Sequence, residues 1–147
     1  MTVYYPYFVT IDEQGKIYVS DYFKHRIQIF GSNGQWKQSI GSKGYGNGQF
    51  RYPTDIAFNS KNLLTFAGSV NHRVQIFGDK MQSIKSFCSH GKENDQFKGS
   101  CGIVVDTDDN IFVVDQGNNH IQIFDKDRNW KQAIEKDGCR SGEFYFP

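Results

Sequence analysis

Cysteine is scarce and poorly spaced for its usual structural roles. The chain has three, Cys88, Cys101 and Cys139, an odd count with no CxxC pair. That argues against a disulfide framework or a zinc site and for reduced thiols. An excess of one charge is lacking too. Seventeen basic and 16 acidic residues leave a net +1, so no general field draws the chain to nucleic acid or an anionic membrane. No apolar run approaches the ~18 residues of a membrane helix. The opening "MTVYYPYFVTID" has neither a basic start nor a small-residue cleavage site, so no signal peptide is read there. Low-complexity segments and 3.6-periodic apolar stripes are also missing, which argues against disordered linkers and helical solenoids. A single domain of 147 residues in a cytoplasmic setting is the expectation.

What the sequence does contain is repetition. "KHRIQIFG" (24–31) returns as "NHRVQIFG" (71–78) and again as "NHIQIFD" (119–125). Ile27, Val74 and Ile121 are spaced 47 residues apart, as are Phe30, Phe77 and Phe124. The same step relates Phe50, Phe97 and Phe144, each in a "QF" or "EF" element, and Gly44, Gly91 and Gly138. "VTID" (9–12), "IAFN" (56–59) and "IVVD" (103–106) fall into register without a gap. Three copies at one fixed period mark a repeat architecture.

Within a copy the pattern is strand-like. In the second, "DIAFN" (55–59), "LLTFAG" (63–68), "RVQIFG" (73–78) and the weaker "QSIKSFC" (82–88) read as four short strands joined by turns. Alternation in the third of these puts Val74 and Ile76 on one side, Gln75 and Phe77 on the other. Four short strands per ~40–50 residues is the signature of a propeller blade. The fold class is therefore all-β: a partial β-propeller of three four-stranded antiparallel blades, at approximately 6–52, 53–99 and 100–147.

"NHRVQIFG", taken with "GKIYVSD" (15–21), "DNIFVVD" (109–115) and "GQFRYPTDIAFN" (48–59), resembles the NHL repeat. The resemblance spans nearly the whole chain and implies a six-bladed propeller. It implies three kinds of relative: the recognition end of tripartite-motif ubiquitin ligases, RNA-binding translational regulators, and a peptide-amidating lyase. Three blades are half of such a ring. Two open blade faces of ~400 Å² each would forgo on the order of 10 kcal/mol of burial, comparable to the whole stability of a domain. The faces are therefore expected to be covered, either by a homodimer closing the ring or by the remaining blades of a longer parent chain.

Function is expected on the face of long loops, "GSKGYGNGQFRYP" (41–53), "CSHGKENDQFKGS" (88–100) and "EKDGCRSGEFYFP" (135–147). Candidate ligand-binding residues there are Lys24, His25, Arg26, Lys43, Tyr45, Arg51, Tyr52, Arg73 and Lys98. Acids including Asp21, Asp55, Glu93, Asp95 and Asp115 nearly balance the bases, which disfavours phosphate tracking across the whole face. The first blade is the basic, aromatic exception, suited to single-stranded RNA. Asp21 and Arg26 are placed to pair across a loop. Gly68 removes the acid from the second blade and His120 replaces the base in the third, so the pairing is expected to be incomplete in both, with Arg73 either re-partnered or free. His120 is shifted by one residue from the His25 and His72 column, so the histidines form no repeated ring of ligands. Tyr5, Tyr7, Phe8, Tyr145 and Phe146 read as core or seam packing.

Asp12, Asn59 and Asp106 share a column at a strand end, where Asp and Asn are ordinary turn residues. No Ser/His/Asp set, paired carboxylate site or phosphate loop is present, and no metal or cofactor is expected. The leading expectation is a non-catalytic module that binds a protein partner. RNA binding is the alternative, and part of a metal-dependent lyase or lactonase the second.

Overall fold

The computed structural model describes residues 3–135, in which three four-stranded antiparallel sheets form. The first holds β1 (Pro6–Ile11), β2 (Ile17–Asp21), β3 (Arg26–Phe30) and β4 (Trp36–Ile40). The second holds β5 (Pro53–Phe58), β6 (Leu64–Gly68), β7 (Arg73–Phe77) and β8 (Ser83–Phe87). In the next loop β9 (Ser89–His90) and β10 (Gln96–Phe97) make a two-residue parallel ladder. The third sheet holds β11 (Ser100–Val105), β12 (Ile111–Asp115), β13 (His120–Phe124) and β14 (Trp130–Glu135). Strand order follows the chain in every sheet, and the first strands of successive sheets lie side by side. No helix among the described residues is long and apolar enough to cross a membrane.

Turn chemistry fixes where each strand ends. Asp12 Oδ1 accepts the N–H groups of Gln14 and Lys16. Asn59 and Asp106 Oδ1 repeat this with Lys61 and Leu63, and with Asp108 and Asn110. The column is thus a set of side-chain-capped turns, as its residue types suggest. Backbone shape repeats even where the side chain does not. Gly34, Met81 and Arg128 all take a left-handed φ, of 76°, 58° and 73°, at the same step.

The core lies between sheets. Tyr18, Ile27, Ile29 and Ile40 of the first sheet pack on Ile56, Leu64, Phe66 and Phe77 of the second. Ala67, Val74 and Ile76 then pack on Ile103, Ile111, Val113 and Phe124 of the third. Phe50 and Phe97 are fully buried, one in each seam. Phe144 lies outside the described residues. Because neighbours cover both sides of the middle sheet, the β7 alternation does not separate a wet face from a dry one. Val74 and Ile76 face the third sheet, whereas Gln75 and Phe77 face the first, and all four are buried. Burial is the chief cause that raises the pKa of the Cys88 and Cys101 thiols. Cys139 lies outside the described residues.

Candidate functional site

Each of the two described long loops is gripped by the sheet that follows it. Gln75 Nε2 donates to the Gln49 carbonyl at 2.9 Å, and its Oε1 accepts the Gly48 N–H at 2.9 Å. One period later Gln122 does the same with the Gln96 carbonyl (2.6 Å) and the Asp95 N–H (3.0 Å). Asn71 and Asn118 donate to the carbonyls of Gly44 and Gly91, both at 2.9 Å. His25 and His72 take left-handed backbone angles, and their Nδ1 atoms accept the N–H groups of Tyr52 and Gly99. These buried and half-buried polar side chains are loop anchors, hydrogen-bonded to loop backbone.

The acid–base pairing is more complete than the sequence suggests. Arg26 Nε and Nη2 both donate to Asp21 Oδ2 at 3.1 Å. In the third sheet His120 Nε2 stands 3.2 Å from Asp115 Oδ2. The imidazole, in the same column as Arg26 and Arg73, therefore replaces the guanidinium. In the second sheet Asn71 Oδ1 covers for the missing acid by accepting the Arg51 N–H, as Asp115 Oδ1 accepts that of Lys98. Arg73 is not free: Nη1 donates to the Tyr45 carbonyl, and Nη2 to those of Gly46 and Gln49.

This accounting changes the charge seen by a ligand. Asp21 and Asp115 are fully buried. Asp55 turns into the second seam, where Oδ2 accepts the Ile103 N–H at 2.8 Å. Arg26 and Arg73 are tied down as described. Lys24, Lys43 and Arg51 remain at the surface around the first sheet's loops. Lys24 lies over the Tyr4 ring, and Arg51 over the Tyr45 ring while donating to the Tyr45 hydroxyl. The pKa of His25 is lowered first by burial and then by the neighbouring Lys43 and Arg51.

Beside these cations lies a run of touching rings. Tyr7 stacks on Tyr22 at 5.3 Å, and Tyr22 meets Tyr52 at 5.0 Å. Phe23 meets Tyr5 at 4.9 Å and Tyr22 at 5.1 Å, both edge-on. Tyr5, Tyr7 and Phe23 are about half exposed, so Tyr5 and Tyr7 are surface residues here and not core. Tyr145 and Phe146 lie outside the described residues. The repeat acts as an internal control. Where the first sheet has Tyr22 and Phe23, the second has Ser69 and Val70 and the third Gln116 and Gly117. A Cβ at Gly117 would run into the Lys98 carbonyl, so the third sheet has no room for a ring there. The fold does not require these aromatics.

Of the residues expected at the site, Lys24, His25, Lys43, Tyr45, Arg51 and Tyr52 come together. Arg26 and Arg73 serve the loops, and Lys98 belongs to the next loop along. The sequence reading missed Tyr4, Tyr22 and Phe23, whose signal was available as a break in the repeat columns. Among the described residues no cluster of three His, Cys, Asp or Glu is arranged to hold a metal ion.

A family model described as a 6-bladed beta-propeller matches residues 5–74. No curated protein matches the sequence. Among solved structures, the chain superposes on virginiamycin B lyase from Staphylococcus aureus with a TM-score of 0.68 and 19% identity, covering 90% of this chain and 42% of that one. Hydrazine synthase of Kuenenia stuttgartiensis gives a TM-score of 0.73 at 15% identity, covering 97% and 37%. A structure of RRP9 WD40 repeats gives 0.68 at 10%, covering 85% and 37%. The chain thus spans about two-fifths of the solved structures it matches. At these identities the likeness is one of fold, a partial β-propeller.

Proposed function

We propose that this chain is a non-catalytic recognition module, of the NHL-repeat type, that docks a partner protein on its long-loop face. The docking surface is the shelf of Tyr5, Tyr7, Tyr22, Phe23 and Tyr52, with Lys24, Lys43 and Arg51 at its rim. The observation that carries this reading is that the shelf breaks the repeat. The Tyr22 and Phe23 columns hold Ser69 and Val70 in the second sheet and Gln116 and Gly117 in the third, and aromatics left exposed on a rigid scaffold are typical anchors of recognition. The rim calls for carboxylates on the partner, and the rings call for apolar or aromatic side chains beside them. A protein segment fits better than RNA because Arg26 and Arg73 are spent on Asp21 and on loop carbonyls. Three surface cations are few for a mode of binding that phosphate contacts dominate.

The test is selection from a random peptide library on the immobilised chain, alongside a fluorescent mixed-sequence single-stranded RNA. Enrichment of peptides pairing acidic with aromatic residues, lost in a Phe23→Ala/Lys24→Glu variant, supports the reading. Tight RNA binding without peptide enrichment would replace it with the RNA alternative.

A further inference from the structure

Each sheet has a leading face, turned to the sheet before it, and a trailing face, turned to the sheet after it. In the second and third sheets the leading positions are sealed, Ile56 and Ile103 being 2% and 6% exposed. Val9 holds the same column in the first sheet and is 60% exposed. Trailing positions show the mirror pattern: Ile40 of the first sheet is 8% exposed and Ile134 of the third 43%. Val9, Ile11, Ile17, Val19 and Phe30 thus form an open apolar face at one end. A hollow lined by Gly102, Val104, Phe112, Val114, Ile121 and Ile134 opens at the other.

We infer that these two faces are binding sites for one another in trans. A second copy of the chain seats the leading face of its first sheet on the trailing face of the third, at two identical junctions, so that two chains close a ring of six sheets. The junction repeats, column for column, the two seams already formed within the chain. In the first seam Tyr18 meets Phe58 edge-on at 4.9 Å. Phe112 stands two periods on from Tyr18 and Ile11 one period back from Phe58, so the same contact places Phe112 of one copy against Ile11 of the other.

The area is that of a stable dimer. Four strands ~4.8 Å apart and ~20 Å long give ~400 Å² per face. The four faces of two junctions bury about 1,600 Å², a standard specific interface. A head-to-tail junction closes only when its rotation divides the full turn. The six-bladed family model matched by residues 5–74 supplies the count that three sheets per chain would complete. Tyr7 of the shelf, one period before the buried Thr54, lies at the edge of this junction.

Sedimentation equilibrium of the purified 147-residue chain, over about 1 to 100 µM, reads the outcome directly. The expected mass is twice 16.9 kDa. Ile11→Arg and Val104→Arg, both at exposed positions, should each give monomers with an unchanged β-sheet circular dichroism signal, while Tyr45→Ala stays dimeric. A folded monomer at the highest concentration overturns the inference. So does an open series of larger species, or a dimer that survives both arginine substitutions. If an arginine variant loses its sheet signal, hydrogen exchange on the unaltered protein decides. Protection of β1 and β11 amides should rise with protein concentration, and protection independent of concentration overturns the inference.

Discussion

Gln75 holds the Gln49 backbone from inside the protein, its Nε2 2.9 Å from the Gln49 carbonyl. Its Oε1 takes the neighbouring Gly48 N–H, so one fully buried amide satisfies a donor and an acceptor of the preceding loop. Replacing Gln75 with Leu keeps the volume, strands the Gly48 N–H and leaves the Gln49 carbonyl only the 3.4 Å bond from Arg73 Nη2. Leaving buried polar groups unpaired costs about 1–3 kcal/mol each, so Gln75→Leu should lose about 2–4 kcal/mol in urea unfolding.

Arg73 gives a second test, of geometry against charge. Its two terminal nitrogens fork across the carbonyls of Tyr45 and Gly46, and no carboxylate is among these partners. Lysine keeps the charge but cannot span two carbonyls with a planar fork. Arg73→Lys should therefore loosen the 41–53 loop, read as faster hydrogen exchange there, with a stability loss of about 1 kcal/mol. Exchange unchanged from the parent protein would show that charge alone holds this loop.

The two anchoring histidines predict a pH dependence. Nδ1 of His25 accepts from the Tyr52 N–H at 3.0 Å, and Nδ1 of His72 from the Gly99 N–H at 3.3 Å. Protonation turns either acceptor into a donor. Burial lowers the pKa of His25, with Lys43 and Arg51 adding to it. Burial also lowers that of His72, with His90 adding and Asp115 opposing. Both folded values lie below the ordinary 6.5. On acidification the unfolded chain takes up these protons first. The stability from the neutral rings is therefore complete above 6.5, and it is lost as pH falls from there through the folded values. Thermal melts should show a flat Tm near neutrality and a decline on the acid side. Asn119 already holds the equivalent left-handed position in the third sheet. His25→Asn with His72→Asn should therefore reduce the slope between about pH 5.5 and 6.5. An identical slope in the double variant would assign it to other groups.

The fold was legible because its signals are local and repeated. A 47-residue step in Ile27, Val74 and Ile121 survives any error in placing a single strand. The Asp12, Asn59 and Asp106 turns were readable from residue type alone. What could not be read was the partnership of side chains brought together by packing. Gln75 looks like a wet-face residue until the loop of the sheet before it is laid over it. Gly68 looks like a lost acid until Asn71, three residues on, is seen to accept the bond. His120 looks like a lost base until its Nε2 is seen to stand 3.2 Å from Asp115 Oδ2. The site is half legible: Lys24, Lys43 and Arg51 stand out by residue type, whereas Tyr22 and Phe23 show only as a break between the copies.

That difference gives the last prediction. Installing the second sheet's own residues in the first, Tyr22→Ser with Phe23→Val, removes two rings from the shelf and leaves both seams intact. Tyr22 is partly buried and touches Tyr5, Tyr7, Phe23 and Tyr52, so some stability is lost. Aromatic pairs of this kind contribute about 0.5–1.5 kcal/mol beyond burial, which bounds the expected cost of the exchange at roughly 1–2 kcal/mol. Phe50→Ala, by contrast, empties a fully buried seam position and should cost about 3–5 kcal/mol. Urea unfolding of the two variants side by side measures the gap. If the shelf exchange cost as much as the seam deletion, the rings at Tyr22 and Phe23 would belong to the fold, and the surface they form would lose its claim to be a binding site.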